Sequence, residues 1–134
     1  MSGWIGVDLD GTLAHYDGWR GPEHIGEPIP EMVARVKTWL AEGRDVRIFT
    51  GRIAPSVLQR LETGAAAPSD QDISDAQQSA TAIGEWSLKH LGRRIPITCV
   101  KDFNLLELWD DRAVQVEKNT GRRIEDRPAG PPTP

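Results

Sequence analysis

Trp4-Ile5-Gly6-Val7-Asp8-Leu9-Asp10-Gly11-Thr12 begins as an apolar run, meets an acid at Asp8 and reaches a glycine three residues later. A run this short, closed by turn-forming residues, reads as a buried strand whose carboxyl end delivers an acidic loop. Working outward, a helix is expected from Ile29. Pro30 suits a first helical turn, Met32, Val33, Val36, Trp39 and Leu40 recur at helical spacing, and Gly43 closes the run. Val46-Arg47-Ile48-Phe49 follows as a second short strand ending at Thr50-Gly51-Arg52. Further along, the pattern predicts a helix over 55–61 and a surface loop over 64–74. It then predicts a helix over 73–91 with Ala76, Ala80, Ile83, Leu88 and Leu91 facing inward. Strands are predicted over 96–100 and 105–109, the latter ending in Asp110-Asp111, with a short fifth over 114–117.

Strands separated by helical stretches imply right-handed crossovers and a mainly parallel sheet, hence an α/β fold. Ligands of such sheets bind beyond the carboxyl ends of the strands. Three of those ends carry reactive side chains: Asp8 and Asp10, Thr50 and Arg52, Asp110 and Asp111. With 134 residues the chain has room for one domain, expected over 1–126, and the last eight residues contain four prolines and are expected to be disordered.

Sixteen basic and 20 acidic side chains leave a formal charge of −4, which disfavours a generic phosphate-backbone or anionic-membrane binder. Cys99 is the only cysteine, so neither an intramolecular disulfide nor a thiolate metal cluster can form. The chain also lacks an 18-residue apolar run, and its N-terminus lacks the basic start and apolar stretch of a signal peptide. A cytoplasmic setting is expected, with self-association left open.

If the parallel topology brings the three strand ends together, four carboxylates, a hydroxyl and a lysine converge on one pocket. Such a cluster repels itself unless neutralised. A divalent cation resolves the repulsion, and hard oxygen ligands favour Mg²⁺ over zinc.

Asp8-Leu9-Asp10-Gly11-Thr12 resembles the first signature of the haloacid dehalogenase superfamily of phosphohydrolases. Thr50, Lys101 and Asp110-Asp111 resemble its second, third and fourth signatures, in the same order along the chain. The resemblance implies a three-layered, Rossmann-like α/β fold and phosphoryl transfer through an aspartyl phosphate. Asp8 is then the nucleophile, and Asp10 the acid that protonates the leaving oxygen and later activates water. Thr50 hydrogen-bonds a phosphoryl oxygen and Lys101 neutralises charge. Mg²⁺ is held by Asp8, the Asp10 carbonyl, Asp110 and Asp111. Gly11, Gly51 and Arg52 are the expected substrate-contacting positions. Family members usually carry a cap after the first signature or between the second and third. Here the first gap, 13–28, is a short turn-rich segment and the second is largely accounted for by the two predicted helices and the 64–74 loop, so no large cap domain is expected.

Each feature also has a plainer reading. Asp-x-Asp-Gly can open a calcium loop, but the twelfth position counted from Asp8 is Trp19, where that loop needs Glu. Lys89 is the alternative to Lys101, disfavoured because it falls inside a predicted helix. Arg52 suits either a substrate phosphate or a neighbouring carboxylate. His15, Tyr16, Trp19, Arg20 and His24 either contact substrate or merely pack their own segment. Asp70, Asp72 and Asp75 read as a solvated run. The leading expectation is a phosphate monoesterase acting on a phosphorylated small molecule. The alternatives are a phosphatase of nucleotides or polynucleotide ends and a non-catalytic binding or regulatory module of the same fold.

Overall fold

A computed structural model describes residues 2–54 and 69–124. The N-terminal apolar run forms β1 (Trp4–Asp8), and Pro30 opens α1 (Pro30–Ala41) where its missing N–H costs nothing. Gly43, at φ +79°, reverses the chain into β2 (Asp45–Phe49), which a 3₁₀ turn over Gly51–Ile53 follows. The remaining elements are α2 (Asp70–Leu91), β3 (Ile97–Thr98) and β4 (Leu105–Trp109). The four strands lie in the order β3-β2-β1-β4, and every pairing is parallel. This is an α/β fold with β1 at the centre of its sheet.

Ile5 and Val7 alternate to one face of β1 and pair in register with Val46 and Ile48. Met32, Val36 and Leu40 of α1 share one buried cluster on that face with Ile83, Trp86 and Leu91 of α2. Both crossovers step the same way across the sheet, so right-handedness puts both helices on the same side. Trp4, Gly6, Arg47 and Phe49 point to the other side, where Trp4 stacks on Phe49 with ring centroids 6.4 Å apart. The step from β3 back to β4 reverses direction, so its crossover belongs on this second face. It runs there: the Trp4 indole N–H donates to Asp102 Oδ1 at 2.8 Å. That bond, followed by the Asn104 amide, holds Asp102 below the usual carboxylate range.

The β3–β4 connection comprises only residues 99–104. Thr98 lies level with the end of β1 and Leu105 with its start, at opposite edges of the sheet. A straight diagonal over three strand spacings and four residue rises is roughly 19 Å, and the seven Cα steps available reach at most about 25 Å. No helix fits into that length. Among the described residues the fold therefore has a helix layer and a sheet layer, and the third layer expected from the sequence is reduced to this strap.

Other expectations change as well. The helix predicted over 55–61 and the tail over 127–134, for which disorder is predicted, lie outside the described residues. α2 starts at Asp70, inside the predicted 64–74 loop, because Ser69 Oγ accepts the Asp72 amide N–H while Asp72 accepts the Ser69 N–H. Leu88 is 44% exposed, and Ser79, Trp86 and Ser87 are buried instead. Ser87 Oγ donates to the Arg93 carbonyl at 2.7 Å and accepts the Ile95 N–H at 3.1 Å, which satisfies the turn out of α2. The predicted fifth strand over 114–117 is reduced to a single antiparallel bridge between Val116 and Arg123. Among the described residues, no helix is long and apolar enough to cross a membrane.

Candidate active site

Beyond Asp8 the chain turns within four residues: the Leu9 carbonyl accepts the N–H groups of Thr12, Leu13 and Ala14. Gly11 makes the turn at φ +89°, and a Cβ there would meet Asp111 Oδ2 at 2.5 Å. The chain then leaves in a flap whose ends are tied together, His15 N–H donating to the Glu27 carbonyl and Ile29 N–H to that of Leu13. Trp86 of α2 anchors the flap by donating its indole N–H to the Gly26 carbonyl at 3.0 Å.

β4 supplies the second acidic doublet. Trp4 pairs with Leu105 but Ile5 pairs with Glu107, so a bulge at Leu106 shifts the register by one and brings Asp110 level with Asp8. Carboxylate oxygens of Asp8, Asp110 and Asp111 all lie within 4.8 Å of one another. Thr12 Oγ stands between the doublets, 3.3 Å from Asp8 Oδ2 and 3.4 Å from Asp111 Oδ1, and accepts the Asp111 backbone N–H at 3.0 Å.

Crowding these acids without a counter-charge has a titration consequence. Burial first, then the negative charges of Asp110 and Asp111, push the Asp8 carboxyl up from 3.8 to about 8, with Thr12 opposing. Unfolded Asp8 ionises near 4 while folded, metal-free Asp8 keeps its proton to about 8. The contribution to stability is therefore complete below pH 4 and is lost as pH rises through 8. In chelator, the wild-type melting temperature is expected to fall across this window relative to Asp8→Asn, and added Mg²⁺ should remove the difference. Parallel melting curves for the two proteins between pH 4 and 8 would show that Asp8 is not perturbed.

At the end of β2, Thr50 is 2% exposed and its Oγ accepts the Arg52 N–H at 3.1 Å, leaving the hydroxyl proton to donate. Arg52 folds back onto the first loop. Its Nε and Nη2 donate to the two Asp10 oxygens at 2.7 and 2.8 Å, and its guanidinium lies 5.0 Å from the centre of the Trp19 ring. The Arg52 side chain is only 5% exposed. Of the two readings left open for Arg52, the structure shows the carboxylate partner, and that partner is Asp10 within the site.

Together these residues line a cleft of about 580 Å³ at the carboxyl end of the sheet. Asp8, Asp10, Gly11, Thr50, Gly51, Arg52 and Asp111 all reach it, and Asp110 joins through the carboxylate cluster. Lys101 does not reach the lining. It is exposed on the strap, and its neighbour Asp102 is already at Trp4, four residues before Asp8. Lys89 is exposed on α2 in a separate groove with Glu23 and Glu85. Tyr16 and Trp19 line the cleft, whereas Arg20 pairs with Asp17 at the surface and His15 and His24 are exposed outside it.

The sequence reading missed the wall formed by α2. Asp72, Asp75, Ala76 and Ser79 line the cleft together, and their spacing of three, four and seven places them on one helical face. That spacing is the available signal, and the loop-like composition of the segment's start obscures it. Neither a known family model, nor a curated protein, nor a solved structure matches the chain significantly.

Proposed function

We propose that this chain is a Mg²⁺-dependent phosphohydrolase that cleaves phosphate monoesters through an aspartyl phosphate on Asp8. The observation carrying this reading is the clustering of Asp8, Asp110 and Asp111 oxygens within 4.8 Å beside a buried threonine hydroxyl. The donor set suits a hard cation: every ligand is oxygen, and burial together with the neighbouring acids holds Asp8 protonated at neutral pH. Asp8, Asp110 and Asp111, with the Asp10 carbonyl, would hold the ion. When bound, it supplies the positive charge that keeps Asp8 ionised and screens the incoming phosphate.

The protein's own groups do the rest. Asp8 attacks phosphorus, forming the acyl phosphate as the ester bond to the leaving alcohol breaks. Asp10, released from Arg52 at one oxygen so that it can carry a proton, donates that proton to the alcohol and then takes one from the water that hydrolyses the acyl phosphate. The Thr50 hydroxyl donates to a phosphoryl oxygen, and Gly11 and Gly51 allow the backbone to approach it closely. Release of inorganic phosphate from p-nitrophenyl phosphate and a panel of natural monoesters, with Mg²⁺ and with chelator, tests the reading. A purified, folded protein that releases none under either condition would overturn it.

Lys101 has no part in this mechanism, so Lys101→Ala is expected to retain kcat and KM within about threefold, the usual outcome for an exposed side chain outside the site. A loss beyond a hundredfold would return the lysine to the reaction. Arg52, in contrast, serves as a positioning residue, aiming Asp10 through both of its oxygens. Arg52→Ala should lower kcat by roughly ten- to a hundredfold with KM little changed. Arg52→Lys should not restore it, because an ammonium cannot span both oxygens. A raised KM at unchanged kcat would instead make Arg52 a phosphate ligand.

A further inference from the structure

We propose, resting on the phosphohydrolase reading, that the cleft selects small monophosphates whose alcohol part offers O–H or N–H donors and bears no second anion. The argument starts from charge. Among the described residues lining the cleft there are five aspartates and two arginines. Arg52 is spent on Asp10, to which it gives two hydrogen bonds, and is 5% exposed. That leaves Arg112 as the one uncommitted cation in the described lining.

The phosphate end of the cleft is defined by Asp8, Gly11, Thr50 and Asp111, where a divalent ion and a phosphate dianion offset one another. Asp72 and Asp75 on α2, with Arg112 offsetting only one of their two charges, then leave a net negative charge to meet the rest of the substrate. Each uses one oxygen locally. Asp72 Oδ2 accepts the Ser69 N–H and Asp75 Oδ1 accepts the Gln71 side chain at 2.7 Å, so among the described residues each carboxylate keeps its second oxygen as an acceptor for a ligand. A hydroxyl or ammonium satisfies that acceptor, whereas a carboxylate or second phosphate meets like charge within a Debye length. Tyr16 and Trp19, both about half exposed, add flat apolar surface suited to carbon-bound hydrogens or a cation. The same charge balance disfavours an oligonucleotide, whose phosphates would continue along an acidic wall.

The test compares matched esters on the full chain with Mg²⁺. Glycerol 1-phosphate and 3-phosphoglycerate differ chiefly in a hydroxymethyl against a carboxylate, while ethanolamine phosphate and a 5′-phosphorylated oligonucleotide extend the series each way. We expect kcat/KM to favour glycerol 1-phosphate over 3-phosphoglycerate by about tenfold or more at low salt, and the gap to narrow in 0.5 M salt. The Asp72→Asn/Asp75→Asn double variant should bring the ratio below about threefold. Asp75→Asn alone, which leaves the Ser69–Asp72 cap intact, should move it the same way. Ethanolamine phosphate preferred over glycerol 1-phosphate assigns the donor as N–H, and the reverse assigns it as O–H; either supports the proposal. Equal turnover of glycerol 1-phosphate and 3-phosphoglycerate, or a preference untouched by salt and by both variants, overturns it while leaving phosphate hydrolysis standing. Absence of turnover even of p-nitrophenyl phosphate overturns both readings.

Discussion

Asp8→Asn is expected to lose at least about a thousandfold in Mg²⁺-dependent turnover, because an amide of the same shape cannot attack phosphorus. The same substitution should leave the fold intact and, in chelator near pH 8, raise the melting temperature. Burial and two neighbouring acids work against ionising Asp8, and the amide has no charge to bury. A stable protein without activity separates chemistry from folding in a way that an alanine would not. Substantial turnover in a purified sample of this variant rejects the covalent route.

Asp110→Ala is expected to shift the Mg²⁺ concentration for half-maximal activity upward by at least about tenfold, since it removes one of three clustered carboxylates. Asp110 Oδ1 also accepts the Arg112 backbone N–H at 2.7 Å, so alanine releases that turn as well. Asp110→Asn retains an oxygen for the turn and lowers only the charge, which separates loss of a ligand from loss of local order. An unchanged metal titration in both variants would move the cation elsewhere.

The strand ends were legible because an apolar run closed by an acid or a turn is a local signal, and parallel topology then gathers such ends on one side. Asp8, Thr50 and the 110–111 doublet converge for that reason. The start of α2 was not legible, since Ser and Asp serve equally as loop residues and as helix caps, and only the reciprocal Ser69–Asp72 bonds decide between them. Ser79 and Ser87 looked outward by polarity. Their burial depends on carbonyl partners, and the partner of Ser79 is Pro22, 57 residues away. Lys101 follows a strand, which by itself predicts a place on the loop side. The length of the following connection decides otherwise: six residues must cross the sheet, and Lys101 already lies on that strap. The Arg52–Asp10 pair spans 42 residues, and composition alone could not choose between the carboxylate and a phosphate.

The strap over residues 99–104 has a mechanical corollary. With only a few ångströms of slack by the reach of an extended chain, it acts as a tether that sets how far β4 can slide along β1. The height of Asp110 beside Asp8 is thus governed partly from the opposite border of the sheet. A displacement of β3 larger than that slack would draw on the Asp110–Asp111 doublet through the backbone alone.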